Sequence, residues 1–580
     1  MVEKNAVNRK KDLSLMVVGL VAILMVNYIG SFAFERFDLT SEKRYTLSET
    51  SIGLSEGLED IVYVKVYLEG NFPAGFKRLR DETKEMLDEF RAYSNGNIEY
   101  EFINPSESSD KKIRDKIYKQ LHKQGLRPTD LNTKTDDGFS NKIVWPGAVF
   151  TYRGQELPVQ LLKSQIGVGS ESMLNGSIES LEYEIANAIN NLSVVDVPKI
   201  AFIEGHGELS DLETASLTTA LAEFYAVDRI SLDQNLNSLT ERYMIDSAQS
   251  YKVKVKYDAI IIAKPLERFP EKDKFIIDQY VMHGGRVVWL IDPVFTSMDS
   301  LATADITMAL PIDLNLNDQL FTYGVRVNAN MIQDIQSAPI PIVTGVVGDQ
   351  PKTEMFPWFF FPLLTPANNH PIVNNLNALK GEFVSTIDTI AKKGIRKTPL
   401  LKTSQYSKVS SAPTRISLEI VRFEPDQTQF NKGRQLTAVL LEGEFESVYK
   451  NRLTPQIEDA NEISFKAKSV PNKMVVISDG DVAKNHVNKR TGEYLSLGFD
   501  RFTRQEFGNK DFMLNVMGYL CDDSGLMRVR SKKLKIRLLD KTVLKNDKFD
   551  WRLINTILPI GIILLFGVAH YYDRKKKFTK

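Results

Sequence analysis

Leu13 to Phe34 (LSLMVVGLVAILMVNYIGSFAF) runs for 22 residues without a charged side chain. At about 1.5 Å per residue a helix of that length crosses a hydrocarbon core of about 30 Å. Nothing else restricts the chain as strongly, because such a run must be a membrane span, a buried helix or a removable leader. Lys4, Arg9, Lys10 and Lys11 precede it and Glu35 and Arg36 follow it, so the basic excess places the N-terminus in the cytoplasm. A cleaved signal peptide is the competing reading, since Ser31-Phe32-Ala33 resembles a small-x-small site. The apolar core of a signal peptide is only about 7–15 residues long, which favours an uncleaved anchor. Leu553 to Tyr572 (LINTILPIGIILLFGVAHYY) supplies a second predicted span of 20 residues, and Arg574, Lys575, Lys576, Lys577 and Lys580 mark its far side as cytoplasmic. Pro559 is compatible with a span, because neighbouring groups can satisfy the freed carbonyl. Both termini are thus predicted inside, with more than five hundred residues between the spans on the outer side, the periplasm of a Gram-negative cell.

At 580 residues the chain predicts two to four domains of about 150 residues each. The 74 basic and 74 acidic side chains cancel, which removes the electrostatic footprint of a nucleic-acid partner. Cys521 is the sole cysteine, so intramolecular disulfides, CxxC redox chemistry and thiolate clusters are excluded. The six histidines, among them His206, His370 and His486, are scattered without HxxxH or HxH spacing, and no histidine metal centre or other cofactor is expected.

Between the spans the pattern is α/β. Ile61–Gly70 alternates like a strand, Phe76–Tyr93 has helical spacing and Asn97–Asn104 is a further strand, a βαβ start. A helix over Lys111–Gln124, strands over Lys142–Tyr152 and Glu156–Leu162 and a helix over Ser170–Asn191 complete a domain of thioredoxin-like outline. A second pattern begins with the strand after Pro198, then a helix over Leu212–Tyr225 and strands Val227–Ser231, Asp258–Lys264 and Arg286–Ile291, with a helix over Glu271–His283 stopped by Gly284-Gly285. The strands Leu436–Leu441 and Lys473–Ser478 and the helix Asn509–Leu520 resume it, predicting a doubly wound parallel sheet. The expected organisation is a cytoplasmic tail 1–12, a span 13–34, a thioredoxin-like domain 35–195, a discontinuous doubly wound domain 196–294 and 435–530, an insertion 295–434, a return segment 531–552, a span 553–572 and a tail 573–580.

Two strand ends are candidate sites. Gly205-His206-Gly207-Glu208 follows the first strand of the second sheet, where such sheets take ligands. His206 and Glu208 could relay a proton or hold a ligand, although the sequence shows no second group to orient the histidine. A turn with glycines at φ > 0 and Glu208 capping the next helix accounts for the same letters. Asp479-Gly480-Asp481, also after a strand, places Asp479 and Asp481 where they could take a ligand or cation, or form a tight turn. No GxxxxGK[ST] pattern is present, so no P-loop is expected. Phe356–Pro362 reads as a docking patch or as core, and the basic run Arg528–Lys541 as a contact for anionic headgroups or a solvated strand.

Arg36–Ser48 (RFDLTSEKRYTLS) just past the first span, GHGE at 205–208, Asp258–Pro265 with its D-x-I-I-I-A-x-P order, Asp292-Pro293, Asn369–Ile372, Leu441–Phe445, the DGD at 479–481 and Gly508–Leu520 (GNKDFMLNVMGYL) occur in the order of one family. Together with both spans they resemble the auxiliary, substrate-binding components of ABC transporters, and within these the GldG family of Bacteroidetes gliding motility. The resemblance implies a non-enzymatic inner-membrane subunit that works with a separate permease (GldF), a separate ATPase (GldA) and the motility or secretion machinery. The GHGE sheet is also similar to glutamine-amidotransferase-like domains, whose chemistry needs a cysteine at a strand-to-helix elbow, whereas Cys521 lies beyond a helix. A free-standing anchored ligand-binding protein, and an anchored hydrolase using His206 and Glu208 as acid and base, are the alternatives.

Overall fold

The computed structural model describes residues 46–531, apart from 136–137, 164–168, 195, 245–250, 348–349, 454–462, 489 and 523, together with 14, 16–28 and 548–578. The R-x-D-L-T motif up to Tyr45 and most of the basic return segment lie outside the described residues.

In β1 (Val62–Val66) the three valines are buried and Tyr63 and Lys65 are half-buried, the period-2 signature of a strand covered on one face. The cover is α1 (Ala74–Tyr93), which buries Phe76, Leu79, Thr83, Leu87 and Phe90 at helical spacing. After β2 (Ile98–Phe102) and α2 (Lys111–Lys123) the expected strand over 142–152 is divided, because Pro146 interrupts it; β3 (Gly147–Tyr152) and β4 (Gln155–Gln160) follow. The sheet runs β2-β1-β3-β4, with β1 and β2 parallel and the other pairs antiparallel. The single helix expected over 170–191 is two, α3 (Ser170–Glu179) and α4 (Leu181–Ser193). The Ser180 hydroxyl donates to the Gly176 and Ser177 carbonyls at the break, a local bond that competes with the helix ladder.

The second sheet is built from β5 (Lys199–Glu204), β6 (Ala226–Ser231), β7 (Ala259–Ala263), β8 (Arg286–Leu290), β11 (Ser337–Val347), β12 (Gln350–Pro366), β13 (Ile395–Lys402), β15 (Leu436–Gly443) and β16 (Asn472–Ile477). Two short strands, β9 (Val294–Phe295) and β10 (Ile306–Pro311), pair with each other, and β14 (Thr414–Ser417) pairs with β10 in a separate three-stranded sheet. The spatial order is β11-β12-β13-β15-β16-β8-β7-β5-β6. From β16 to β6 every pair is parallel, in the doubly wound order 2-1-3-4-5. The sheet is nevertheless mixed rather than parallel throughout: β15 runs antiparallel to β16, and β13 and β12 continue antiparallel beyond it. Parallel neighbours need a crossover connection, usually a helix, whereas β15 and β16 are neighbours both in the chain and in the sheet and run antiparallel. Strands from 295–434 thus extend the same sheet.

Helices cover both faces, as the continuous apolar run of β7 demands. α5 (Asp211–Ala222) and α8 (Asn509–Cys521) bury Leu217, Leu221, Phe512 and Val516 against one face, and α6 (Glu271–Met282) and α7 (Asn317–Tyr323) bury Ile277, Tyr280, Leu320 and Tyr323 against the other. Trp358, Phe359, Phe360 and Phe361 of β12 are buried, so the aromatic run is core.

At the C-terminus α9 (Lys548–Phe578) includes Trp551–Lys576, 26 residues long and apolar enough to cross a membrane, with its side chains exposed. At the other end the described apolar helix is Met16–Tyr28, shorter than the expected 13–34. Both are compatible with membrane anchoring.

Candidate functional site

Five parallel strands aim their C-terminal ends at one edge of the second sheet. Ligands of doubly wound sheets bind at this edge, where the strand order reverses. That point here lies between β5 and β7, and the 205–208 turn leaves β5 beside it. Gly205 (φ 108°) and Gly207 (φ 73°) take the left-handed conformations expected of them. The His206 carbonyl accepts from the N–H groups of Leu266 (2.9 Å) and Glu267 (2.8 Å), so the turn is stitched to the loop after β7.

The His206 ring is buried and stacked on Phe269, with centroids 3.8 Å apart. Its Nδ1 lies 3.1 Å from Glu208 Oε1 and its Nε2 lies 3.1 Å from Asp273 Oδ2. Burial works against protonation, but hydrogen bonds and charge from Glu208 and Asp273 outweigh it and hold the imidazole above its ordinary pKa. Glu208 also accepts the His206 backbone N–H at 2.7 Å. It does not cap the following helix, as the sequence suggested; Ser210 does, in a reciprocal capping box with Glu213. Asp273, the partner missing from the sequence reading, comes from the first turn of α6 and also accepts the Gln234 N–H at 2.8 Å.

Asp479 and Asp481 sit at the same edge, after β16, and their carboxylates take different partners. Asp479 accepts the N–H groups of Asp481 and Glu382, each at 2.9 Å, whereas Asp481 pairs with Lys264. Lys264 follows β7 in the left-handed region (φ 55°), and its Nζ also lies 3.1 Å from Asp292 Oδ2, after β8. The other Asp292 oxygen accepts the Gly480 N–H at 2.6 Å. All three carboxylates are buried. Burial opposes a charge on Lys264, but Asp481 and Asp292 overcome it and raise the ammonium pKa. Burial pushes Asp481 upward, while Lys264 and Lys484 pull its carboxyl below the usual range. For Asp479 burial acts together with repulsion from Asp292 and Asp481, so its carboxyl titrates far above the ordinary carboxylate range. Among the described residues no group of three or more acidic, histidine or cysteine side chains is arranged to hold a metal ion.

The edge therefore holds two internal ion clusters, one on His206 and one on Lys264, joined through residues 264–267. The sequence reading singles out neither Lys264 nor Asp273, and it includes Asp292 only in the Asp292-Pro293 motif. The signal available was a lysine closing the apolar run AIIIAK, a charge at the end of a strand buried on both faces. A Cβ on Gly480 would lie 2.4 Å from the Lys264 Cβ, so only glycine lets the DGD turn approach the lysine. Gly480→Ala is expected to cost about 1–3 kcal/mol through overpacking, seen as a lower unfolding temperature of the detergent-solubilised chain. Cys521 ends α8 and is not at a strand-to-helix elbow. Beyond β8 a cleft of about 440 Å³ opens between Pro293, Ile312, Leu316 and Phe321.

A family model described as "ABC-type uncharacterized transport system" matches residues 197–516, more than half of the chain, and a domain of unknown function matches 41–151. An uncharacterized protein of Borreliella burgdorferi is 20% identical over 579 residues, covering 98% of this chain and 99% of its own. Among solved structures, the N-terminal domain of mmIFT52 aligns with a TM-score of 0.29 and 13% identity over 59% of this chain and 100% of that one.

Proposed function

The chain belongs to the ABC-type transport auxiliary family, and from that premise we propose that it is a membrane-anchored, non-enzymatic scaffold subunit of the transport complex. In this reading both termini are cytoplasmic and residues 35–552 lie in the periplasm. The observation that carries the scaffold role is the edge of the second sheet. Both ring nitrogens of His206 face this chain's own carboxylates at 3.1 Å, which leaves no lone pair for a substrate proton. Support for the anchoring comes from the apolar helices at the two ends and their basic flanks.

The finer reading is a GldG-type subunit acting with a GldF-type permease and a GldA-type ATPase in gliding motility, supported by the ordered motifs from Arg36 to Leu520. It treats the first domain as thioredoxin-like, in keeping with its β2-β1-β3-β4 order, and the second as amidotransferase-like in its 2-1-3-4-5 portion. Affinity purification of the tagged full-length chain from native membranes in mild detergent tests the proposal. A permease and an ATPase should co-purify in constant ratio, and a deletion strain should lose surface spreading. Recovery of the chain without either subunit would overturn the complex, and normal spreading would overturn the motility role.

A further inference from the structure

The apolar side chains of β10 lie on the wrong face for a strand that serves only its own core. Ile306, Met308 and Leu310 alternate along it and are 44%, 47% and 50% exposed, while Ala309 between them is fully buried. Phe295, directly opposite Leu310 on β9, is 49% exposed on the same side. The inward face is already filled, because Ala309, Val294 and Ile416 pack with Trp358 and Phe360. Four large apolar groups are thus held outward in one patch by a sheet that gains nothing from them, and such a patch marks an interaction surface.

The row leads into the cleft. Ile312, two residues beyond Leu310, donates its N–H to Pro293 at 2.9 Å, and both residues line the cavity of about 440 Å³. Arg326 lines it too and is exposed, and Arg415 lies opposite Met308 on the apolar face. Neither arginine makes an ion pair among the described residues. Asp388, across the strand pair from Arg326, accepts from Asn328 at 2.9 Å. Asp318, the carboxylate of the cleft, is already held by Lys274 and Arg452. Every residue of β10 already has a strand partner, Ile306–Ala309 on β14 and Leu310 and Pro311 on β9. What the face offers a partner is its outward row of side chains.

We infer that the outward face of β10 and the adjoining cleft dock an apolar segment of a partner protein, with a carboxylate of that segment meeting Arg326. The two unpaired guanidinium groups beside an apolar row select this chemistry, since Arg binds carboxylates in a bidentate fork. The site stands on its own geometry and does not require the partner to be a transporter subunit.

The test places a photo-crosslinking amino acid at Met308 of the full-length chain in its native membranes and sequences the captured peptide. An adduct to one other protein is expected, through a segment that combines apolar residues with Asp or Glu. Arg326→Glu should lower its yield about tenfold and Arg326→Lys much less, and changing the captured carboxylate to lysine should restore yield with Arg326→Glu. Arg326 is exposed, so an unchanged unfolding temperature verifies that the variants fold. Adducts only to lipid, only to a second copy of this chain, or unaffected by Arg326→Glu would overturn the inference, as would no adduct. A captured segment of the stated chemistry from a protein that is neither permease nor ATPase would keep the docking site and weaken the transporter proposal.

Discussion

Lys264→Met is expected to lower the stability of the chain by about 3–5 kcal/mol, the usual cost of removing one partner from a buried ion pair. Methionine keeps the length and apolar stem of the side chain, so packing changes little and the loss reports the charge. Without the ammonium, Asp481 and Asp292 face each other's field in a buried site, with Asp479 beside them. They must then take up protons or admit water, and either opens the edge where β7, β8 and β16 end. The check is thermal unfolding of the detergent-solubilised full-length protein, with Asp481→Asn added as a second variant. Asp481→Asn in the Lys264→Met background should recover part of the loss, giving a coupling of about 0.5–3 kcal/mol. Additive losses would show that Lys264 and Asp481 stabilise the fold independently and that the short contact between them is not energetic.

Lys264 also shows why half of this site was hidden in the sequence. The strand itself was legible, since five buried residues from Ala259 to Ala263 form an apolar run bounded by charge and proline. Its partners Asp292 and Asp481 lie 28 and 217 positions further on, and nothing local tells a charge closing a strand from one on the surface. The 205–208 turn was readable because glycine letters report backbone conformation directly. The cap of the next helix is also legible at Ser210 and not at Glu208, since Ser210 and Glu213 are spaced as a capping box. The antiparallel half of the sheet was concealed for a different reason. Pro339, Pro341 and Pro357 occupy β11 and β12, and proline in a run argues against a strand, yet Pro339 pairs with Pro357 in a hairpin. The direction of β15 depends on the length and content of a connection, which apolar periodicity does not encode.

His206→Ala separates a structural histidine from a catalytic one. The two carboxylates that it holds are buried, with the side chains of Glu208 and Asp273 only 2% and 6% exposed. Alanine would leave both without their cation and would empty the stack on Phe269. A loss of about 3–5 kcal/mol is therefore expected at pH 6, whereas a hydrolase that used His206 as base would lose activity and keep its fold. The pH dependence gives a second and independent readout. The folded-state pKa of His206 is raised above its ordinary value of about 6.5. Its contribution is then complete below the unfolded value and is lost as pH rises through the folded value. Wild-type stability should fall across that window above pH 6.5, and His206→Gln, which cannot take a proton, should lack this component. The difference in unfolding temperature between wild type and His206→Gln should accordingly narrow from pH 6 to pH 9. A difference that stays constant over that range would mean that the ring is neutral in the folded protein, bridging two carboxylates of which one carries the proton instead.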